Sequence, residues 1–353
     1  MTESLARPPA TAGTPAAEAL TADMPAAVLG RPRRVLRAVA IAACVPYLSL
    51  KTAWVAGSRV GIPDGSTLLE HRTTMAVANT AGVLLDGAVI VLASLLTRPW
   101  GLRVPAWLLA LPAWVATGLL APITTGYPLQ LLVRALGGTV DRSSGTGRRP
   151  FLHEWVFGVV YTGFIVQGLA LGVLFLLYAR DRWGHVWRGR VGELPAGAVG
   201  PAQRACAVAA CAFALFPLVM NLVWACGGTA ALSAGRVADR TSDFYVLEAT
   251  DVCFVLAAVA GAVPLAFRLG RRMPVAVPLA PAWVGSGVLV CWGGWLSLAS
   301  LTSVEDLADR PTPLMNLVYA VQMISGFLVA ALGAHFLAER SAAHAGQRDR
   351  RVA

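Results

Sequence analysis

The chain has 353 residues, of which 56% are hydrophobic and only 14% are charged, and its mean hydropathy is +0.63. These values exclude an ordinary soluble globular domain and are typical of a protein that crosses a membrane several times. The formal net charge of +10 does not predict nucleic-acid binding, because no basic patch interleaved with aromatic residues accompanies it. In a membrane protein, an excess of arginine instead marks the loops that stay in the cytoplasm.

Eight apolar segments are long enough to cross a bilayer as helices, which takes roughly 17 to 25 residues each. They lie near residues 38–57, 74–97, 105–123, 155–178, 205–227, 244–267, 279–300 and 315–338. We therefore predict an all-α fold, a polytopic membrane bundle whose eight transmembrane helices form two parallel four-helix repeats.

The domain division follows from composition and from the repeat. Residues 1–34 are rich in Ala, Thr and Pro without an apolar period, which predicts a disordered cytoplasmic tail. We expect a first four-helix repeat at 35–180, a cytoplasmic linker at 181–203, a second four-helix repeat at 204–340 and a basic cytoplasmic tail at 341–353. The first apolar segment is followed by no convincing small-residue cleavage site, so we expect it to remain as a helix.

Three sets of matches indicate that the second half is a diverged copy of the first. At a constant offset of 170 residues, Lys51, Trp54 and Gly57 match Asn221, Trp224 and Gly227. The other two sets pair Pro105, Ala106 and Trp107 with Pro281, Ala282 and Trp283, and Pro150, Gly163 and Phe164 with Pro313, Gly326 and Phe327. Because each copy has an even number of helices, both enter the membrane the same way up. We expect a pseudo-two-fold axis along the membrane normal and an interface between the halves.

The stretches SLKTAWVAGSRVG (49–61) and VMNLVWACGGTAAL (219–232) carry a resemblance. They resemble the first-helix motif of small four-helix bacterial membrane proteins of unknown function, in which a Trp is closely followed by paired glycines. The chain is similar to two such units in tandem, as in multi-pass membrane proteins of actinobacteria. It departs from the motif at Ser58, where the second copy has Gly228. The resemblance implies the tandem architecture and supplies no chemistry for this chain.

Polar side chains inside the apolar segments are candidates for a binding site. A charged residue near the centre of a spanning helix costs about 2.5–3.5 kcal/mol on insertion scales, so its presence calls for a role. Most of these side chains fall in the predicted outer half of the bilayer. We predict a ligand-binding pocket there, formed by Lys51, Asn79, Asp86, Glu154, Asn221, Glu248 and Asp251.

Lys51 is the only lysine in a chain that has 28 arginines, and it lies inside the first apolar segment. In one interpretation its stem snorkels to the outer headgroups and needs no partner. In the other, its compact ammonium pairs with a carboxylate of the pocket, a role that arginine does not fill in the same way. Glu248 or Asp251 is the expected partner.

A structural role competes with ligand binding for the acidic residues near helix starts. Glu248 and Asp251 share one helix face, but a carboxylate in the first turn is also stabilised by the helix dipole. This alternative is stronger for Glu154. Asp86 lies near the midplane, where a carboxylate must be either protonated or paired. The tryptophans near the predicted outer ends are interpreted as aromatic-belt anchors: Trp54, Trp224 and Trp295.

Three functions stay open. The first is a transporter-like protein that binds a small polar solute or an ion in the outer-half pocket. The second is a membrane-embedded enzyme acting on a lipid-linked substrate, for which no nucleophile or metal-ligand pattern assigns a catalytic or metal-binding residue. The third is an assembly or sensory partner whose polar residues hold helices together. The six cysteines contain no Cys-x-x-Cys pair, and the sequence indicates neither a cofactor nor an oligomeric state.

We predict that both termini face the cytoplasm and that the protein lies in the cytoplasmic (inner) membrane. This orientation places 19 arginines on the inside and nine in outside loops. A topology reporter fused after Leu307 is expected outside the cytoplasm, and one fused after His185 inside it. The opposite pattern would reverse the orientation and turn the predicted pocket toward the cytoplasm.

Overall fold

The computed structural model describes residues 30–64, 66, 72–138, 152–194, 200–238, 240–301 and 310–352. Throughout these ranges the secondary structure is helical, and pairing of extended backbone is limited to an isolated bridge between Arg190 and Pro274. The predicted N-terminal tail up to residue 29, the loop after residue 138 and the acidic loop before Arg310 lie outside the described residues.

Eight long helices make up the fold: α1 Arg31–Val55, α2 Arg72–Leu95, α3 Ala106–Ala135, α4 Glu154–Trp187, α5 Pro201–Ala225, α6 Ser242–Phe267, α7 Ala276–Ser300 and α8 Pro313–Val352. In the part of the chain that the structure describes, these eight are the helices long and apolar enough to cross a membrane. The prediction of an all-α membrane bundle with eight spanning helices is confirmed.

Several helices are longer than the apolar segments that predicted them. The helix α1 begins at Arg31, inside the predicted tail, and α4 continues to Trp187, inside the predicted linker. The helix α3 continues to Ala135 through Pro122 and Pro128. Spanning helices tolerate internal prolines because neighbouring groups satisfy the freed backbone. Hydropathy therefore located each span, and backbone hydrogen bonding determined where the helices end.

The exposure of side chains is inverted relative to a water-soluble protein. Large apolar side chains such as Leu84, Leu176 and Leu298 point outward, with 69%, 67% and 60% of their surface exposed. Polar side chains such as Asp86 and Gln167 are buried between helices. Lipid offers apolar contacts but no hydrogen bonds, so this arrangement is the one that a bilayer favours.

The helices form two four-helix bundles with the same cyclic order of neighbours. In the first bundle, α1 packs against α2 and α4, and α3 packs against α4 and, over a smaller area, α2. In the second bundle, α5 packs against α6 and α8, and α7 packs against those same two helices. The bundles meet through α3, which contacts α7 and α6.

The turns that follow α1 and α5 have the same backbone structure. Gly57 and Gly227 both adopt the left-handed conformation, with φ of 91° and 90°. In each turn the N–H of the next residue donates to the carbonyl five residues earlier, at 2.9 Å after α1 and 2.8 Å after α5. This pattern is a Schellman motif, and glycine is favoured at its left-handed position because it has no Cβ atom.

A tryptophan fixes each of these two turns. The Trp54 indole N–H donates to the Val60 carbonyl at 2.7 Å, and the Trp224 indole N–H donates to the Ala230 carbonyl at 2.8 Å. Both tryptophans are buried, with 8% and 2% of their surface exposed. The aromatic-belt interpretation is therefore wrong for these two residues, whereas Trp295 is exposed.

The two bundles touch backbone to backbone where α3 meets α7. A Cβ atom added to Gly118 would overlap the carbonyl group of Gly287. The backbones can approach this closely only because both positions lack a side chain, as in other small-residue contacts between membrane helices.

Two hydrogen bonds flank this glycine contact in a reciprocal arrangement. Trp114 on α3 donates to the Ser286 hydroxyl on α7 at 3.1 Å, and Trp283 on α7 donates to the Thr117 hydroxyl on α3 at 3.4 Å. The two tryptophans are 169 residues apart, as are the two hydroxyl residues and the two glycines. Each helix thus offers the other a tryptophan donor and a hydroxyl acceptor at equivalent positions, which is the contact pattern of a two-fold axis.

These correspondences favour the duplication, which stays a prediction. Two of the sequence matches that suggested it do not occupy equivalent positions. Pro105 lies directly before α3, whereas Pro281 lies inside α7. Gly163 lies against α1 of its own bundle, whereas Gly326 lies against α7.

The contact between α3 and α7 generates a stability prediction. We expect Gly118→Ala to destabilise the protein by about 1–3 kcal/mol, because the new methyl group would overpack a rigid backbone contact. Gly172→Ala on α4 is the matched control, since a Cβ atom there would meet nothing within 4 Å. Thermal unfolding of the two detergent-purified variants measures the difference. Equal midpoints would mean that the bundles do not meet at this glycine.

Candidate functional site

Lys51 lies one turn before the end of α1 and contacts a buried amide on the neighbouring helix. Its Nζ donates a hydrogen bond to Asn79 Oδ1 on α2 at 2.8 Å. The same Nζ lies 5.1 Å from the ring centres of Tyr47 and Trp54. Both rings attract a cation at this range, so one amide and two aromatic rings hold the ammonium group.

The expected pairing of Lys51 with Glu248 or Asp251 is wrong. Lys51 belongs to the first bundle, where α1 packs against α2 and α4, while both carboxylates lie on α6 in the second bundle. The similar predicted depth of these residues in the membrane could not reveal which helices are neighbours. Snorkelling without a partner also fails to describe Lys51, because its ammonium is hydrogen-bonded.

Asp86 on α2 faces Gln167 on α4. Gln167 Nε2 donates to Asp86 Oδ1 at 3.4 Å, and the two residues have 4% and 1% of their surface exposed. No basic side chain of the described ranges forms an ion pair with Asp86. The sequence prediction missed Gln167, although its amide stands alone in the apolar run GFIVQGLALG (163–172).

Polar groups from three helices form a row along the inside of the first bundle. Asn79 and Asp86 are seven residues apart on α2, which is about 10 Å along the helix axis. Between them the Tyr47 hydroxyl approaches Gly82 so closely that a Cβ atom there would lie 2.8 Å from the oxygen. The Tyr47 ring packs on Phe164 of α4, with ring centres 4.8 Å apart. We call Tyr47, Lys51, Asn79, Asp86 and Gln167 the polar row.

Three atoms of the polar row have no hydrogen-bond partner among the described residues. They are Asn79 Nδ2, Asp86 Oδ2 and Gln167 Oε1. Leaving a buried donor or acceptor unsatisfied costs about 1–3 kcal/mol. Three such atoms within one bundle are hydrogen-bonding groups that no described residue satisfies.

A second set of polar residues, two of them buried, lies in the second bundle. Asn221 on α5 has 2% of its surface exposed, and its Nδ2 has no partner in the part of the chain described. Glu248 and Asp251 stand one turn apart on α6, and no residue within the described ranges forms a hydrogen bond or ion pair with either. Tyr319 on α8 is close enough to interact electrostatically with both carboxylates.

The structure thus divides the predicted pocket between the bundles. Lys51, Asn79 and Asp86 belong to the first bundle, and the three residues just described belong to the second. Glu154 joins neither set, because it is the exposed first residue of α4, where the helix dipole favours a carboxylate. Whether any of these residues binds a ligand stays a prediction.

A surface groove between α1 and α4 does not contain any of the seven predicted residues. Its volume is about 720 Å³, and its lining is almost entirely apolar, with Val39, Ala43, Pro46, Val159 and Val166 among the lining residues. A polar ligand gains no hydrogen bonds from such a lining, so the groove is not the predicted pocket.

Further polar contacts join helices near their ends, and the sequence prediction missed them. Arg33 on α1 pairs with Asp181 on α4, and Arg134 on α3 pairs with Asp243 in the first turn of α6. In the second bundle the Gln203 amide lies 2.7 Å from the His335 imidazole, joining α5 and α8. These contacts hold helices together and lie apart from the polar row.

Comparison of the chain with protein-family models, curated proteins and solved structures finds no match. The class of the protein is therefore defined by its fold, and it is a multi-pass, all-helical integral membrane protein. Across the ranges described, no three His, Cys, Asp or Glu side chains are grouped so that they could hold a metal ion.

The contact between Lys51 and Asn79 generates a second stability prediction. We expect Lys51→Ala to cost about 1–3 kcal/mol, because it leaves the buried Asn79 carbonyl without its donor. Ser49→Ala, at an exposed position of the same helix, is the control and should change little. Adding Asn79→Ala should recover part of the loss in a double-mutant cycle. Coupling of Lys51 with Glu248 instead of Asn79 would contradict the arrangement described here.

Proposed function

We propose that the protein is a transporter-like protein that binds a small polar or charged solute at the polar row of the first bundle. The observation that carries this proposal is the group of three buried, unpartnered polar atoms on α2 and α4. Nearly all buried polar groups in folded proteins have a partner, so a group of exceptions calls for an explanation. A solute that completes their hydrogen bonds provides one.

The distribution of charge along the polar row suits a solute with both donor and acceptor groups. The Lys51 ammonium has used one of its three N–H donors on Asn79, and the others can bind an anionic or carbonyl group. About 10 Å deeper, the free oxygens of Asp86 and Gln167 can accept hydrogen bonds from a donor group. The low dielectric inside the bundle strengthens both interactions.

We also propose that this membrane is the cytoplasmic (inner) membrane, with both termini in the cytoplasm. The arrangement of arginines supports this orientation. Arg33 and Arg37 at the start of α1 lie at the same end of the fold as Arg182, which donates to the carbonyls of Gly101 and Val104 between α2 and α3. A concentration of arginine at one end of a membrane protein favours the cytoplasmic side for that end.

An assembly or sensory role is the second candidate, and one observation favours it. The bonds Lys51 to Asn79 and Gln167 to Asp86 each join two helices of the same bundle. Buried polar pairs of this kind stabilise helix association in membranes without any ligand. Within the described ranges, no group of residues supports the enzyme hypothesis.

Cysteine accessibility distinguishes the first two candidates. In a background without native cysteines, we expect Asn79→Cys and Asp86→Cys to react with a charged, membrane-impermeant thiol reagent, because a solute site must be reachable from water. Leu84→Cys is the control, since this residue lies on the same helix but points outward with 69% of its surface exposed. Leu84→Cys should stay unlabelled in lipid, where a charged reagent does not enter.

The same variants identify the solute. Amino acids, organic anions and alkylammonium ions can be tested for protection of Asn79→Cys against the reagent. A solute that protects Asn79→Cys and raises the unfolding temperature of the wild type, but not that of Asp86→Asn, would be the ligand of the polar row. If neither cysteine is labelled from either side of the membrane, the solute site is excluded and the assembly role is favoured.

A further inference from the structure

The position of Lys51 in the first bundle has an equivalent in the second. Lys51 and Asn221 are 170 residues apart, and each stands three residues before the tryptophan that fixes the turn after its helix. These turns have matching glycine conformations and matching hydrogen bonds. Asn221 therefore occupies on α5 the place that Lys51 occupies on α1.

The partner of Lys51 also has an equivalent. The buried positions of α2 recur on α6 at an offset of 169 residues, which is the offset found where α3 meets α7. The recurring pairs are Asn79 with Glu248, Leu92 with Gly261, Ala93 with Ala262 and Leu96 with Leu265. Glu248 therefore stands in the place of Asn79, and the equivalence sets it opposite Asn221.

The net charges at these equivalent places are opposite in sign. In the first bundle, a tethered ammonium lies against a neutral amide at 2.8 Å. In the second, the ammonium is replaced by the neutral side chain of Asn221, and the amide is replaced by the carboxylate of Glu248. Glu248 has 8% of its surface exposed and no ion-pair partner in the described ranges, and the Asn221 Nδ2 is unpartnered as well.

We infer that the second bundle binds a monovalent metal cation at Glu248, in the position that the Lys51 ammonium occupies in the first bundle. Glu248 and Asp251 supply carboxylate oxygens from successive turns of α6. Asn221 supplies its carbonyl oxygen from α5, since a half-turn of the amide exchanges its oxygen with its unpartnered nitrogen. Hard cations such as the alkali-metal ions bind to oxygen ligands of this kind.

The charge balance favours a single positive charge. Arg236, in the short helical turn Ala234–Ala238 between α5 and α6, interacts electrostatically with Glu248 and Asp251. It forms no ion pair with either carboxylate within the part of the chain described. With both carboxyl groups ionised, as cation binding requires, one guanidinium leaves one negative charge for the bound cation to neutralise.

Sodium-dependent stability of the purified protein tests the site. The probe is sodium chloride, titrated against choline chloride at constant ionic strength, and the readout is the thermal unfolding midpoint in detergent. We expect a saturable rise of about 2–4 °C for the wild type, as for a ligand that binds only the folded state. Glu248→Gln should abolish the rise. Asp64→Asn, which removes an exposed carboxylate from the loop after α1, should keep it.

Introducing a lysine into the second bundle gives a test that does not depend on losing a function. Asn221→Lys places a tethered ammonium opposite Glu248, as Lys51 does in the first bundle. This variant should be at least as stable as the wild type in choline chloride, and it should no longer respond to sodium. If Glu248→Gln fails to fold, Asn221→Lys alone decides.

The inference is overturned if the wild type shows no saturable response to sodium, potassium or lithium. It is also overturned if Asn221→Lys or a folded Glu248→Gln keeps the response of the wild type. These outcomes do not bear on the polar row, because solute access there is measured separately by cysteine labelling in the first bundle. Labelling of Asn79→Cys without any cation effect would keep the proposed function and discard the cation site.

Discussion

Polar side chains within a lipid bilayer can find partners only inside the protein, and this constraint organises the whole structure. Water that would hydrogen-bond them in a soluble protein is absent from the hydrocarbon region. The polar side chains of the eight helices are accordingly turned inward, and leucines cover the outside. The positions of the buried polar residues follow from which polar groups can reach one another.

The two bundles satisfy this constraint with different kinds of contact between helices. The first combines an apolar core with side-chain hydrogen bonds between helices, such as Lys51 to Asn79 and Gln167 to Asp86. The second is closed by direct contact of backbones. A Cβ atom on Gly261 would overlap α7, and one on Gly285 would overlap α6. At the equivalent place, the first bundle has Leu92, and α2 and α3 share only a small contact.

The sequence was sufficient for the fold class because eight apolar stretches of spanning length leave few alternatives to a helical bundle. Helix ends were harder, since α3 continues past its predicted end near residue 123 and through Pro128 to Ala135. The offset between Lys51 and Asn221 was visible in the sequence because the same tryptophan and glycine follow both residues. No such pair accompanies Asn79 and Glu248, so their match became visible only from the burial of α2 and α6.

The sequence allowed most residues of the candidate site to be predicted, but not how the fold groups them. Intramembrane polar residues can be found by type, which located Asp86, Asn221 and Glu248. Their division between two bundles depends on which helices pack together, and no single sequence contains that information directly. Gln167 was missed because attention to ionisable groups passes over an uncharged amide, although burial makes its hydrogen bonding equally demanding.

Because α2 and α3 share only a small contact, the equivalent helices α2 and α6 are not held equally firmly. The helix α6 is interlocked with α7 through glycine positions, so moving it would force backbones apart. The helix α2 is held by two side-chain hydrogen bonds and by the apolar contacts of Leu92 and Ala93, and a Cβ atom on its Gly87 would meet nothing within 4 Å. Of the two equivalent helices, α2 is the one whose displacement breaks the fewer close contacts. A force on the fold would therefore separate α2 from its neighbours more readily than α6, because fewer packed atoms have to move apart.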